Sequence, residues 1–463
     1  MIEDPDADPL QTAKLIRLAF QKYKQAFSPQ YMNCESAWCA MDMMGRLAKL
    51  SASSNTFELS DEMLGCPEGS ADDPDVDALP RPEQCYGVVM DLVQDLAETQ
   101  NESGQPHLVS LICEYNDIDD PFFKLLARAA RATDQISWLQ SRYRDAITAA
   151  NKRRLAIVAS YLGLCLALLY TKYSKDCCDG EKAVRIWENI GTQGSASTRQ
   201  EGNIGYIRIQ ALGQLGNYCL CKALDEESAA ARWIDLMERH QHRKVRGSTS
   251  LLVFCLASWH TRQGRLDEAR KLLKPAVKSA LAILSDDDPT NDREGYLYLA
   301  MAFLPVGDET NALAVLHSQR QYIDGVAVLA NDTKGGDEGE DQNKNGDEDV
   351  GNSASMESGE EEEDAEDTDD GPDAVGECDG VCDDAYYNWD GVQLCMLCGA
   401  CWCRNCFQLL QSGELPLKVC GAHHDFLLVP VLEQKFKEGE LLVGKQVVSA
   451  DKWKASIKKQ WGL

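Results

Sequence analysis

The stretch Leu256–Val277, LASWHTRQGRLDEARKLLKPAV, carries a pattern more specific than a run of apolar residues. Leu256 and Ala257 stand eight and seven residues before Gly264, and Ala269, Leu273 and Ala276 follow it by five, nine and twelve. A large-then-small pair on one helix lets a second helix approach closely. Glycine makes the turn, and a small residue on the second helix sits at the crossing. In Leu299–Leu316, LAMAFLPVGDETNALAVL, Leu299 and Ala300 again precede Gly307 by eight and seven, and Ala312 and Leu316 follow by five and nine. Two helical hairpins are predicted.

The pattern resembles the tetratricopeptide (TPR) hairpin, whose consensus repeats about every 34 residues. Here the glycines are 43 apart, so the second helix or the loop SDDDPTND after it is longer. LGQLGNY, and Ala183 with Trp187, match more weakly. From Cys85 to about Ile323 apolar residues recur three and four apart, so the region is predicted all-α. A TPR-like solenoid is expected, with an irregular helical bundle as the plainer alternative. The run LAIVASYLGLCLALLY, Leu155–Tyr170, is shorter than the ~20 residues of a membrane span. It also holds Ser160, Tyr161 and Gly163, and is read as a buried core helix. No Ser–His–Asp, Cys–His or paired-carboxylate constellation is evident here, nor any phosphate-binding glycine loop, and the chain is expected not to be an enzyme. His240 and His242, in RHQHR, read as a solvated helix end.

Charge divides the remainder. Residues 10 to 50 read as two helices broken at SPQ, and Ser51–Gln84 as a loop or poorly ordered insert rich in Asp, Pro, Gly and Ser. Asp332–Glu377 holds 20 acidic and 2 basic residues, a net of −18 within a chain of −29. With almost no large apolar residue, it reads as a disordered linker. Its DQNKNGDED imitates the start of an EF-hand loop, but Asn352 stands where the bidentate Glu belongs. A chain this acidic suits neither nucleic acid nor anionic membrane. The opening MIEDPDADPLQTAKL lacks the basic and apolar regions of a signal peptide, so an intracellular location, cytoplasmic or nuclear, is expected. The predicted organisation is 1–84, N-terminal helices with an acidic insert; 85–330, helical repeats; 331–377, acidic linker; and 378–463, a cysteine-rich α+β module.

Eight of the 19 cysteines fall between Cys378 and Cys420, arranged as Cys378-x3-Cys382, Cys395-x2-Cys398, Cys403-x2-Cys406 and Cys420-x3-His424, with Cys401 between the second and third pairs. Such short spacings let two side chains of one turn reach a single tetrahedral ion, at ~2.3 Å for thiolates. Eight ligands supply two four-coordinate zinc sites. A cross-brace would give Cys378, Cys382, Cys403 and Cys406 to one ion, and Cys395, Cys398, Cys420 and His424 to the other. Sequential pairing is the alternative. Cys401 and His423 stand as alternative ligands. With no apolar run large enough for a core in Gly376–Gly421, the metals are expected to supply much of the folding energy. DFLLVPVL and LLVGKQVV each read as a short strand, and Trp453, Ile457 and Trp461 share one face of a final helix.

The run CDGVC…W…LCMLC…CWCRNC…SGEL…KVC…HDFLLVP, with its W…QWGL tail, resembles the C-terminal module of a group of uncharacterised fungal TPR proteins, and its ligand order is similar to ZZ-type zinc fingers. The ZZ pattern has five residues between the second and third pairs and usually closes on two histidines, whereas this chain has four and closes on Cys420 and His424. The resemblance implies a binding scaffold for a protein or peptide. Acidic residues beside the metal receive a peptide's N-terminal amine in some ZZ fingers, which makes Asp379, Asp383, Asp384 and Asp390 candidates. A ubiquitin-transfer adaptor is the enzymatic alternative, disfavoured by the missing ring-type Cys-x-His step. Thiol redox chemistry through CMLCGACWCRNC would need a βαβ setting that the sequence lacks.

Overall fold

The computed structural model describes residues 39–46, 48, 81–318 and 376–463, the last two ranges with short interruptions that include 175–178, 193–200, 242–250, 381–384, 416–419 and 432–436. The insert of 51–84 and the linker of 331–377, with its EF-hand-like stretch, lie almost wholly outside these residues, as do most of the two helices expected in 10–50.

The chain is mostly helical and divides into two compact units, the first made of Met1–Gln263 with Ser412–His423 and the second of Gly264–Gln411 with His424–Leu463. The first contains α1 (Pro82–Glu98), α2 (His107–Glu114), α3 (Pro121–Ala132), α4 (Ile136–Lys152), α5 (Ala156–Leu168), α6 (Asp179–Thr192), α7 (Glu201–Asp225), α8 (Ala230–Gln241) and α9 (Leu251–Arg262). Neighbours in sequence pack together: α4 on α5, α5 on α6, α6 on α7, and α7 on both α8 and α9. Aromatic rings fill the seams. Tyr218 on α7 lies between Trp187 and Trp233 with ring centroids 5.9 and 5.7 Å away, and Phe123 meets the buried Tyr143 edge-on.

Among the described residues two connections in this unit close on a left-handed residue that is not glycine. After α3, Asp134 adopts φ 60° and Gln135 N–H bonds back to Ala130; after α4, Arg154 adopts φ 60° and Leu155 N–H bonds back to Ala150. These bonds satisfy carbonyls that the helix ends would otherwise leave open. The second unit uses the same backbone with glycine, at Gly264 (φ 72°) and Gly307 (φ 70°), the two positions the hairpin spacing singles out. Every apolar position of that spacing is buried: Leu256, Ala257, Ala269, Leu273, Ala276, Leu299, Ala300, Ala312 and Leu316.

Among the described residues one helical span is long and apolar enough by composition to cross a membrane, Ala156–Tyr173, formed by α5 and a π-helical turn at Leu169–Tyr173; half of it is buried in the protein. Buried Asp179 opens α6 and gathers three donors: Lys182 Nζ at 2.6 Å, Ser174 Oγ at 2.7 Å and Gln140 Nε2 at 3.3 Å. The reading of His240 as solvated is corrected. Its ring is buried, with Nε2 3.1 Å from Glu188 Oε1 across the α6–α8 seam. His242 lies outside the described residues.

The second unit begins with α10 (Leu266–Ile283), α11 (Asp292–Phe303) and α12 (309–318), with α10 packed on α11. The cysteine-rich segment then adds β1 (Gly376–Glu377), β2 (Ala385–Tyr386), β3 (Gln393–Cys395), β4 (Cys401–Trp402), α13 (Arg404–Ser412) and β5 (Phe426–Leu428). β3 is the centre of an antiparallel sheet in the order β4-β3-β5, pairing Leu394 with both Cys401 and Leu427. The expectation that this segment lacks a core needs amendment. Trp389, Val392, Leu394, Trp402, Leu410 and Val429 are all buried, a small core assembled from single residues rather than from an apolar run.

LLVGKQVV forms a hairpin rather than one strand. β6 (Glu440–Val443) pairs with β7 (Gln446–Ser449), and Gly444 takes φ 64° at the first loop position, where a tight two-residue turn favours glycine. The chain then enters α14 (Ala450–Trp461), capped by Ser449 Oγ, which accepts from Lys452 N–H, and closed at the other end by left-handed Gly462. Sequence grouped this helix with the cysteine module, but its buried row of Trp453, Ile457 and Trp461 lies against the helices of the second unit. Trp453 and Trp461 both pack on the ring of Phe303, with centroids 6.5 and 6.2 Å away.

Candidate metal centre

Among the described residues two ligand clusters form in the cysteine-rich segment, and each could hold a metal ion. Cys395, Cys398, Cys420 and His424 place their ligand atoms within 4.8 Å of one another, as do Cys378, Cys403 and Cys406. The chain reaches the first cluster from three directions. Cys395 ends β3, Cys398 lies in the turn after it, and Cys420 and His424 stand just before β5, which returns beside β3 with Cys395 opposite Phe426. In the second cluster Cys378 follows β1, while Cys403 and Cys406 straddle the start of α13.

The local backbone suits thiolates. Cys398 N–H points at Cys395 Sγ (3.4 Å) and Cys406 N–H at Cys403 Sγ (3.4 Å), while Cys378 Sγ receives both Gly380 N–H (3.4 Å) and Cys403 N–H (3.3 Å). Such donors spread the negative charge a metal-bound sulfur keeps and fix its direction. Cys395 Sγ stands 3.3 Å from His424 Nδ1. A shared tetrahedral ion with bonds of about 2.3 Å to sulfur and 2.0 Å to nitrogen would set them roughly 3.5 Å apart. The donor set, thiolates with one imidazole, is the soft and borderline chemistry that favours zinc over calcium or magnesium.

Among the described residues this grouping sets Cys378 of the first sequence pair with the third pair, and the second pair with the fourth, as a cross-brace would. Cys382, His423, Asp383 and Asp384 lie outside the described residues. Cys401 joins neither cluster. Its thiol faces Gly399 O at 3.5 Å, and burial, with Asp379, Cys378 and Cys395 nearby, pushes its pKa well above the ordinary value. Asp379 is used internally: its N–H donates to Cys401 O (2.8 Å) and its carboxylate accepts from Cys401 N–H (2.9 Å), sealing the outer edge of β4. Asp390 is half-exposed in the turn before Gly391.

Sequence reasoning missed Gly380. A Cβ built there would overlap Cβ and Sγ of Cys406 and come within 3.2 Å of Cys378 Sγ, so only glycine fits against this cluster. Its signal was its place between two ligands in Cys-x3-Cys.

No family model matches the sequence, and no curated protein matches it. Among solved structures the chain is similar to a circular tandem repeat protein with novel repeat topology and enhanced subunit contact surfaces, at 15% identity and a TM-score of 0.28, over 70% of this chain and 72% of that one. At that score the likeness carries no argument about the fold.

Proposed function

We propose that this chain is a non-enzymatic protein–protein interaction scaffold, in which TPR-type helical repeats offer a surface to a protein or peptide and a ZZ-like finger with two structural zinc ions offers another. The observation that carries the reading is the closed quartet Cys395, Cys398, Cys420 and His424, in which four protein ligands leave no position open for substrate. Cys378, Cys403 and Cys406, with Cys382 as fourth ligand, would hold the second ion. Bound zinc would tie β3, β5 and the start of α13 together, and the residues themselves set its place through their N–H···S contacts. Two linked contacts raise avidity without requiring either to be tight. Of the acidic candidates for a peptide amine, Asp379 is engaged with Cys401, and Asp390 stands half-exposed in the turn before Gly391.

Elemental analysis of the full chain, purified from zinc-replete medium, tests the reading. Two zinc ions per chain are expected, with the eight ligands protected from thiol and imidazole reagents. A folded chain with less than one equivalent, and these thiols free under native conditions, would overturn it.

A further inference from the structure

The docking of α14 has the form of a ligand seated in a groove. Only one row of it is buried, Trp453, Ile457 and Trp461, while Lys452, Ala455, Ser456, Lys458 and Lys459 are exposed. By contrast α10, a core helix of the same unit, buries Ala269, Leu273, Ala276, Val277, Ala280 and Leu281. A helix recognised in a groove lays one apolar row into it, and here that row falls at i, i+4 and i+8.

The groove is chemically specific. Trp453 Nε1 donates to Asn311 Oδ1 at 2.9 Å, and Asn311 is itself held by Asp308, its Nδ2 lying 2.9 and 3.0 Å from the carboxylate. Gln460 Nε2 donates to the same carboxylate at 2.9 Å. Lys454 Nζ caps the C-terminus of α10 at Leu284 O, 2.9 Å away, where the helix dipole favours a cation. Charge is complementary too: α14 carries Lys452, Lys454, Lys458 and Lys459, and the α10–α11 connection and the start of α11 supply Asp286, Asp288 and Asp292.

The fit is incomplete. An open cleft of about 490 Å³ remains beside Leu284, Asp292 and Lys458, and the buried indole N–H of Trp461 meets no acceptor among the described residues. We infer that this face of the last helices is a helix-receiving groove for lysine-bearing amphipathic helices with an aromatic–aliphatic–aromatic row spaced by four, and that α14 is its resident occupant in cis. A partner helix of that chemistry gains the groove by displacing α14. This inference does not depend on the metal sites.

The test uses zinc-replete protein and a fluorescent peptide of residues 449–463. A chain ending at Ser449 is expected to bind the peptide with micromolar Kd by anisotropy, and the full chain at least tenfold more weakly. A peptide with Trp453→Ala and Trp461→Ala should bind neither. If the shortened chain does not fold, the full chain carrying Trp453→Ala and Trp461→Ala serves as receptor and should bind the wild-type peptide. Equal binding by full and shortened chains would overturn the inference, as would no binding by a folded receptor. Failure of both receptors to fold would do the same, because α14 would then be obligatory core.

Discussion

Gly380 lies so close to Cys406 that no side chain can stand between them: a Cβ at the glycine would overlap both Cβ and Sγ of the cysteine, and that Cβ is fixed by its own backbone. Gly380→Ala is therefore expected to disable the cluster of Cys378, Cys403 and Cys406 and to spare the other. Elemental analysis should fall from two metals to one per chain, while Gly399→Ala, whose position has open space but φ 75°, should keep both at a cost of about 1 kcal/mol.

Removing metal should separate the two kinds of structure. The small core around Trp389 and Trp402 is assembled from isolated residues, and structural zinc sites of this type supply folding energy directly. With excess chelator, near-ultraviolet circular dichroism from these tryptophans should collapse, while the helical signal at 222 nm falls by less than about a tenth. A loss of half the helical signal would show that the helices lean on the metals.

The hairpin spacing makes opposite predictions for its large and small positions. Leu273 is fully buried on α10, and Leu273→Ala should cost about 2–5 kcal/mol through lost burial and a residual cavity. Ala300→Leu inserts bulk where the helix surface is closed, at a cost of roughly 1–3 kcal/mol. Urea midpoints measure both, and a neutral Ala300→Leu would remove the close-approach reading.

Arg154 holds φ 60° without being glycine. A non-glycine residue in this region carries a penalty of about 1–2 kcal/mol, part of which glycine returns as greater freedom of the unfolded chain. Arg154→Gly should raise stability by roughly 0.5–1 kcal/mol in urea titration, and Arg154→Val should lower it.

Buried thiols fix the alkaline limit. Burial pushes Cys85 and Cys255 up to about 12. Between the ordinary value near 9 and 12 the folded chain holds protons that the unfolded chain has released, so stability is complete below pH 9 and falls as pH rises through this window. Asp179 sets an acid-side term. Burial works to raise its pKa, but hydrogen bonds from Lys182, Ser174 and Gln140 prevail and hold it below the usual carboxylate value. Its contribution is present at neutral pH and is lost as pH falls below about 4. Urea midpoints from pH 3 to 11 should show both arms, the alkaline one reduced by Cys85→Ala with Cys255→Ala, the acid one by Asp179→Asn.

Sequence made the glycine-centred turns visible because Gly264 and Gly307 are the residues that adopt φ near 70° without strain. The same turn at Asp134 and Arg154 was invisible, because there tertiary packing imposes the conformation on residues with no such preference. The short cysteine pairs were legible in the spacing, but spacing left cross-brace and sequential schemes open, because which pairs meet depends on how β3 and β5 return beside each other. Gly380 was not legible, because its role depends on where α13 returns. The row of Trp453, Ile457 and Trp461 announced a buried face, but periodicity tells which side of a helix is covered and never what covers it. His240 misled for the same reason: a polar sequence neighbourhood hid a partner, Glu188, brought in by α6.

The distance along the chain between Asn311 and Trp453, 142 residues, also fixes an order of events at the ribosome. At translation speeds of about 5–20 residues per second, the tryptophan is made on the order of ten seconds after the asparagine. The apolar seat around Phe303 is complete well before its own cover exists. Nascent chains thus pass through an interval in which that seat is open to chaperones and neighbouring polysomal chains alike, and the late arrival of one helix closes it.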